Sequence, residues 1–276
     1  MTHNQTTSNF PQDSDRTVAN PATNPLVACD NVGLTFPGPV QALAGTTFQL
    51  QRGELVSVVG PSGCGKSTLL RLIAGLIANT SGQLQVAGQS AIQARRQGLQ
   101  IGFVFQDATL LPWRTIQDNI RLPLELLRVP RSQHADRIHE ALELVGLQDF
   151  ARALPSQLSG GMRMRVALVR ALVTHPELLL LDEPFGALDE ITRQHLNEEL
   201  LALWQSQKWS GVFITHNVYE AVFLSQRILV MSPRPGKLIA DVPIPFEFPR
   251  TPELRGTAEF ARLAAEVSLL LRGIAT

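Results

Sequence analysis

The sequence predicts an α/β fold with a largely parallel sheet. Short apolar segments alternate with segments of helical spacing along most of the chain, which is typical of strand–helix–strand units. Two of the apolar segments, residues 178–181 and 212–215, consist almost wholly of large aliphatic or aromatic side chains and end in polar residues. Such strands are buried on both faces of a parallel sheet, and ligands of these folds bind at the carboxyl ends of the strands.

The elements follow in a clear order. Residues 1–25 are rich in Asn, Thr, Ser, Asp and Pro and predict a disordered polar tail. Residues 116–146 have helical spacing interrupted by Pro123 and Pro130, so we expect at least two helices in an insertion there. The predicted strands are residues 26–36, 42–50, 54–59, 84–87, 101–106, 178–181, 212–215, 228–231 and 238–242. The other predicted helices are residues 66–76, 162–173, 191–204, 218–224 and a C-terminal segment within 252–272.

Composition excludes several classes of protein. Hydrophobic residues make up 44% of the 276 residues, enough for a buried core. Lys plus Arg and Asp plus Glu number 24 each, a balance that argues against nucleic acid as a partner. Cys29 and Cys64 form no metal-type pair and no disulfide framework. No uncharged stretch approaches 18 apolar residues, so we expect no membrane-spanning segment. If the protein acts at a membrane, we expect it to dock on a partner that is already there.

A glycine-rich loop between the strand at 54–59 and the following helix fits the pattern G-x-x-x-x-G-K-[ST]. Its backbone N–H groups and the helix N-terminus suit phosphate oxygens, Lys66 can reach the terminal phosphates, and the Ser67 hydroxyl can bind Mg²⁺. A chance glycine-rich turn is the alternative, and the pattern alone does not separate kinases, GTPases and ATPases. Cys64 is either a reactive thiol or simply a small residue that fits. The predicted nucleotide-binding loop is Gly60, Pro61, Ser62, Gly63, Cys64, Gly65, Lys66, Ser67 and Thr68.

Acidic and basic residues follow two of the predicted strands. Asp182 is placed to hold Mg²⁺, and Glu183, one residue on, to orient or polarise an attacking water. A solvated acidic turn is the alternative. His216 ends another apolar strand, where it either donates a hydrogen bond to a terminal phosphate or has a structural role.

A second anion site is predicted at Ser159, Gly160 and Gly161, because Ser-Gly-Gly stands at a helix start. A chain with one phosphate loop does not need another for the same nucleotide. The simplest use of this helix start is to cover a nucleotide that a partner molecule holds.

Taken together, these motifs resemble those of the ABC ATPases. LSGGM followed by RMRVALVRAL is similar to their signature, LLLLDEP to their metal strand, FGALD to their D-loop, FVFQD with Gln106 to their Q-loop and ITH with His216 to their switch histidine. Phe36 stands where the family has an adenine-stacking aromatic. The resemblance implies a P-loop NTPase with a mainly parallel core sheet, an antiparallel β region and a helical subdomain at about 107–172. The ATPase domain would span 26–243, with a C-terminal helical extension at 244–276.

What the family implies for function follows residue by residue. The cofactors are ATP and Mg²⁺, with Mg²⁺ held by Ser67, Gln106 and Asp182. The catalytic residues are Lys66, Gln106, Glu183 and His216. Two copies, a homodimer, would enclose two ATPs head to tail, with Ser159 and Gly161 of one copy covering the nucleotide of the other. The further partners are membrane permease subunits and, indirectly, an extracytoplasmic solute-binding protein, with the chain on the cytoplasmic face of the membrane.

A narrower resemblance points to the nitrate, sulfonate and taurine importer ATPases. It rests on LLPWRT after the Q-loop, on Met162 in place of Gln, on MSPRPG at 231–236, and on Pro249, Arg250, Glu259 and Phe260. Asn217 departs from the Asp of many relatives. Two alternatives stay open: a soluble ABC ATPase in DNA repair, translation or protein assembly, and a P-loop phosphotransferase, which leaves the Ser-Gly-Gly motif unexplained.

Overall fold

The computed structural model describes residues 24–273. All but the last two residues of the predicted polar tail at 1–25 lie outside this range. The described strands are β1 Val27–Phe36, β2 Val40–Leu50, β3 Leu55–Val59, β4 Ser81–Val86, β5 Gln89–Ser90, β6 Ile101–Val104, β7 Leu178–Asp182, β8 Ser210–Ile214, β9 Arg227–Met231 and β10 Leu238–Pro243. The described helices are α1 Lys66–Ile73, α2 Ala91–Arg96, α3 Ile116–Leu126, α4 His134–Leu144, α5 Gly160–Leu172, α6 Glu190–Gln207, α7 Val218–Leu224 and α8 Ala258–Arg272.

Two sheets organise these elements. The larger has the order β10-β9-β3-β8-β7-β6 and is parallel except for the pairing of β10 with β9. The smaller is antiparallel, with the order β2-β1-β4-β5. Every residue of β3 and β8 is buried, as the apolar strands predict for the centre of a parallel sheet. The predicted α/β fold, with its mainly parallel sheet and antiparallel region, is confirmed.

Three apolar clusters form the core. One fills the space between the parallel sheet and α6, α7 and α8. A second lies between the antiparallel sheet, α1 and the opposite face of the parallel sheet. The third holds together α3, α4 and one side of α5. Because Ala167 and Leu168 of α5 pack into the first cluster while Val166 and Val169 pack into the third, α5 joins the helical region to the central sheet.

The structure corrects some predicted boundaries. Pro123 lies inside α3 and does not interrupt it, because Ile120 and Leu124 on either side are fully buried in the third cluster and hold the helix through the missing hydrogen bond. Helix α1 ends at Ile73 and not at 76, since Gly75 has φ +63° and turns the chain away. The short helix α2 was not predicted.

The C-terminal helix is part of the same core. Phe260, Ala264 and Val267 of α8 are buried in the cluster that contains α7. Arg250, 7% exposed, donates hydrogen bonds to the carbonyls of Val222, Phe223 and Ser225 at the end of α7. These are carbonyls that a helix C-terminus leaves without partners. The predicted division at 243–244 stays a prediction. Within residues 24–273 no helix has the length and apolarity needed to cross a membrane.

Candidate functional site

The carboxyl end of the parallel sheet borders a cavity of about 420 Å³. It lies against the loop between β3 and α1, the end of β7, and the β1–β2 turn of the antiparallel sheet. Most of the predicted site residues line it together. They are Phe36, Ser62, Gly63, Gly65, Lys66, Ser67, Thr68, Gln106, Asp182 and Glu183.

Glycines shape the loop at the base of the cavity. Gly63 has φ +73°, and Gly65, the residue before α1, has φ +109°, backbone conformations that side chains disfavour. A Cβ on Gly65 would lie 2.9 Å from the carbonyl oxygen of Ala42. Gly60 is equally confined, because its Cβ would lie 3.0 Å from the carbonyl oxygen of Met231. The loop can therefore wrap closely and present the N-terminus of α1 to an anion.

Lys66 lies beneath this loop, with only 5% of its surface exposed. Its Nζ donates hydrogen bonds to the carbonyls of Gly60 (2.9 Å) and Pro61 (3.1 Å) and lies 3.8 Å from Oε1 of Glu183. A buried ammonium group needs such partners. Lys66 also lines the cavity, so phosphate oxygens entering there can compete with these carbonyls for its ammonium group.

Ser67 and Asp182 meet across the cavity. The Ser67 hydroxyl donates to Oδ1 of Asp182 over 2.8 Å, and Gln106 lines the same space. Burial raises the pKa of the Asp182 carboxyl, although the hydrogen bond from Ser67 opposes that rise. Hydroxyl, amide and carboxylate oxygens are hard donors that suit Mg²⁺. Within residues 24–273 no three His, Cys, Asp or Glu side chains cluster as a metal site, and Mg²⁺ needs few protein ligands when phosphates and water supply the others.

Glu183 connects the loop with the end of the neighbouring strand. Its Oε2 lies 3.2 Å from Nδ1 of His216, which follows β8, and its Oε1 faces Lys66. The backbone of Glu183 has φ +48°, and its N–H donates to the carbonyl of Ile214 over 3.0 Å. A left-handed conformation is costly for a residue with a side chain and concentrates at functional positions. The carboxylate of Glu183 therefore has a fixed place between a lysine and a histidine.

The contacts of Asn217 show why the structure accepts Asn where many relatives have Asp. Its side-chain oxygen accepts hydrogen bonds from the N–H groups of Tyr219 (2.9 Å) and Glu220 (3.3 Å) and so caps the N-terminus of α7. Asn serves at this position about as well as Asp. Helix α7 therefore keeps its N-terminal cap without a charged residue, and His216 keeps its place directly before that cap.

Ser159, Gly160 and Gly161 lie apart from the cavity. Ser159 caps α5 by accepting a hydrogen bond from the N–H of Met162 over 3.2 Å. Both Ser159 and Gly160 are exposed, and none of the three residues lines the cavity. One copy of the chain thus presents an open helix N-terminus that does not face its own phosphate loop.

The surroundings of Cys64 fit a small packing residue better than a reactive thiol. It is 1% exposed, and burial raises the pKa of its thiol although the ammonium group of Lys66 opposes the rise. Nucleophilic cysteines need the opposite shift.

Sequence reasoning missed three residues of the cavity wall: Val40, Ala42 and Arg234. Val40 and Ala42 belong to β2, beside Phe36 at the end of β1. Arg234 belongs to the MSPRPG segment, which the sequence alone marks only as a feature of resemblance. Its position 171 residues beyond Gly63 of the phosphate loop leaves no local signal of contact.

Comparison with known proteins gives one consistent result. The sequence profile of a family described as ABC transporter matches residues 43–186. The chain is 43% identical to the aliphatic sulfonates import ATP-binding protein SsuB of a Bacillus cereus strain, over 78% of this chain and 83% of that protein. It is 44% identical to the nitrate import ATP-binding protein NrtD of a Synechocystis strain, over 86% and 90%.

Solved structures agree with the fold. A dimeric post-hydrolysis state of the ATP-binding cassette MJ0796, bound to ADP and Pi, is similar with a TM-score of 0.70 and 31% identity, covering 80% of this chain and all of that one. The structure of cbiO1 from Clostridium perfringens, part of the ABC transporter complex cbiONQ, has a TM-score of 0.74 at 22% identity, covering 90% of this chain and 99% of that one. At that identity the second likeness concerns the fold alone.

Proposed function

The chain belongs to the ABC transporter family, and on that premise we propose that it is the ATP-hydrolysing subunit of an importer for a small anion or a small organic solute. One observation carries the proposal: Lys66, Ser67, Asp182 and Glu183 line one cavity in a chain whose relatives include named import ATP-binding proteins. The soluble ABC ATPase is not favoured, because these relatives serve import of sulfonates and nitrate.

The proposed chemistry uses contacts already present in the cavity. Lys66 exchanges the carbonyls of Gly60 and Pro61 for the terminal phosphates of ATP, where its charge stabilises the transition state. Glu183 orients and polarises the attacking water, and His216 holds that carboxylate and donates to the γ-phosphate. Ser67, Gln106 and Asp182 would hold Mg²⁺, which supplies positive charge to the phosphates. Phe36 offers an aromatic face, 39% exposed, to the adenine.

A second copy completes the site. The open N-terminus of α5 with Ser159, Gly160 and Gly161 offers N–H groups to an anion, and its own cavity does not use them. Dimeric relatives of this fold support pairing of two copies. In the proposed homodimer the α5 N-terminus of each copy covers the γ-phosphate that the other copy holds.

The permease partner has a candidate surface beside Gln106. A groove of about 470 Å³ separates the edge strand β6 from α3, and we name it the β6–α3 groove. Its walls are mainly apolar and include Phe103 and Phe105, whose rings stack at 4.3 Å, and Leu126, which is 73% exposed. Phe105 directly precedes Gln106 of the nucleotide cavity. An amphipathic helix of a permease subunit seated here would therefore respond to the nucleotide.

The remaining parts of the proposal follow from import. The chain docks from the cytoplasmic side, where ATP is available, as a peripheral subunit of the membrane complex. Solute reaches the permease from the other side by way of a solute-binding protein, which this chain does not contact.

The test is a pull-down from detergent-solubilised native membranes with the Glu183→Gln variant and ATP. Because this variant is expected to keep ATP bound, the assembled complex should persist, and a polytopic membrane protein should co-purify. The variant Glu183→Gln/Leu126→Glu places a charge on the wall of the β6–α3 groove and should lose that protein while still binding ATP.

The matched control is Leu144→Glu in the same background, since Leu144 is an exposed leucine of α4 outside the β6–α3 groove. It should retain the membrane protein. Recovery of only soluble proteins or nucleic acid with all three variants would refute the importer proposal and leave the ATPase chemistry untouched.

A further inference from the structure

The loop at 232–237, between β9 and β10, is fixed against the nucleotide cavity. The N–H of Gly236 donates to the carbonyl of Ala42, and the carbonyl of Gly236 accepts from the N–H of Ala44, both at 3.0 Å. A Cβ on Gly236 would lie 2.1 Å from the carbonyl oxygen of Cys64, so only glycine permits this approach to the phosphate loop. The loop is therefore tied to β2 on one side and to the phosphate loop on the other.

Arg234 stands at the tip of this loop and forms part of the cavity wall. Its Nε donates to the carbonyl of Gly63 over 3.2 Å, and it lines the cavity together with Phe36 and Val40. Among residues 24–273 this is its only hydrogen bond, and no carboxylate pairs with it. The bond through Nε orients the guanidinium and leaves the two Nη groups free to bind a ligand.

A free guanidinium beside a phosphate loop suits a nucleotide. Arginine donates through a planar fork that matches two phosphate oxygens, and such charge-assisted bonds are among the stronger polar contacts. The Arg234 side chain is exposed. Phosphate oxygens that bind its Nη groups would replace the hydrogen bonds that these groups make to water. The hydrolysis proposed for Lys66, Glu183 and His216 makes no use of this charge.

We propose that Arg234 is a nucleotide-binding residue that contacts, through its Nη groups, the portion of the phosphate chain that ATP and ADP share. This inference rests on the nucleotide site described above. The anchors of the loop belong to β2 and to the phosphate loop. None belongs to β7, whose end carries Asp182 and Glu183 at the hydrolytic side of the cavity.

The position determines which measured quantity changes. A contact with the shared portion stabilises ATP, the transition state and ADP alike. Loss of such uniform binding raises KM and leaves kcat unchanged. A residue acting on the γ-phosphate would instead lower kcat.

The experiment measures the affinity of the full chain for ATP and, separately, for ADP, together with steady-state hydrolysis. Arg234→Ala should weaken both affinities by a similar factor of about tenfold, since a charge-assisted hydrogen bond is lost, with kcat within about twofold of the parent. Arg234→Gln keeps an N–H donor for the Gly63 carbonyl and lacks the charge, so it should weaken binding as much as alanine does. Arg234→Lys should recover part of the affinity.

Lys237→Ala is the matched control, because Lys237 is an exposed cation of the same loop that does not line the cavity. It should bind both nucleotides like the parent. Unchanged affinities in Arg234→Ala, a loss confined to ATP, or an equal loss in Lys237→Ala would each overturn the assignment. If the parent protein itself bound neither ATP nor ADP, the proposed function would fail, which is a different result from failure of Arg234 alone.

Discussion

Replacing Glu183 by glutamine should separate binding of ATP from its hydrolysis. In the parent, Oε2 of Glu183 lies 3.2 Å from Nδ1 of His216. Glutamine has nearly the same size, so its amide can still contact this nitrogen. Glutamine cannot accept a proton or polarise water as the carboxylate does. The change also removes a negative charge 3.8 Å from Nζ of Lys66, inside the cavity proposed to bind the phosphates of ATP. The affinity for ATP should therefore be maintained or increased.

The expected loss follows from the role assigned to this carboxylate. A positioned general base contributes at least about 10²-fold, which corresponds to about 2.7 kcal/mol in the activation free energy. The assay pairs phosphate release at saturating ATP with equilibrium binding of ATP to the same preparation. Turnover should fall by about 10² or more while binding persists.

Glu177→Gln is the control for this prediction. Glu177 lies just before the opposite end of β7 and pairs with Arg52 at the surface, 2.9 Å away. It should hydrolyse ATP at the parent rate. If Glu183→Gln turned over ATP as fast as the control, the assignment of Glu183 as the base would be refuted.

Three further predictions concern binding, stability and pH. Lys66→Ala should weaken ATP binding by about tenfold or more, because the proposed charge-assisted contacts of Lys66 with the terminal phosphates are lost. Calorimetry showing the parent affinity would contradict this. Arg250→Met should lower the free energy of unfolding by about 3 kcal/mol in urea titrations, since three carbonyls at the end of α7 lose their donor. Replacing the exposed Arg262 by methionine should change it little.

The third prediction concerns the two cysteine thiols. Burial raises the pKa of Cys29 from 9.0 to about 12 and also raises that of Cys64. Both folded thiols should resist an alkylating reagent at neutral pH and react after unfolding, and rapid labelling of the native protein would be the contrary result. Because the folded pKa of Cys29 lies above its unfolded value of 9.0, the contribution of this protonated thiol to the free energy of unfolding is fully present below pH 9.0 and is lost as the pH rises through about 12.

Local patterns predicted the phosphate loop and the end of β7 correctly as neighbours. Gly60–Thr68 directly follows β3 and runs into α1, and Asp182–Glu183 stands at the end of β7. The carboxyl ends of parallel strands meet at one edge of a sheet. The cavity brings these two segments together, as that rule requires. The roles assigned to their side chains stay predictions that the variants above test.

Arg234 shows what the sequence could not reveal. Its contact with Gly63 spans 171 positions and depends on how the β9–β10 loop crosses the end of β2. No periodicity or motif encodes that crossing. Pro123 is a failure of the opposite kind, since a strong local rule was overridden by the burial of Ile120 and Leu124.

The most direct test of a site shared by two copies mixes two inactive variants. Lys66→Ala damages the phosphate loop. Gly160→Asp places a carboxylate at the exposed N-terminus of α5, where a Cβ meets nothing closer than 3.6 Å, so the helix should still form.

Each variant alone should be nearly inactive, because every site in its homodimer contains a damaged part. An equimolar mixture should regain about a quarter of the parent ATPase activity, since half of the randomly paired dimers contain one intact site. No gain over the separate variants, measured at a concentration where the parent protein is dimeric, would contradict a site built from Lys66 of one copy and the α5 N-terminus of the other.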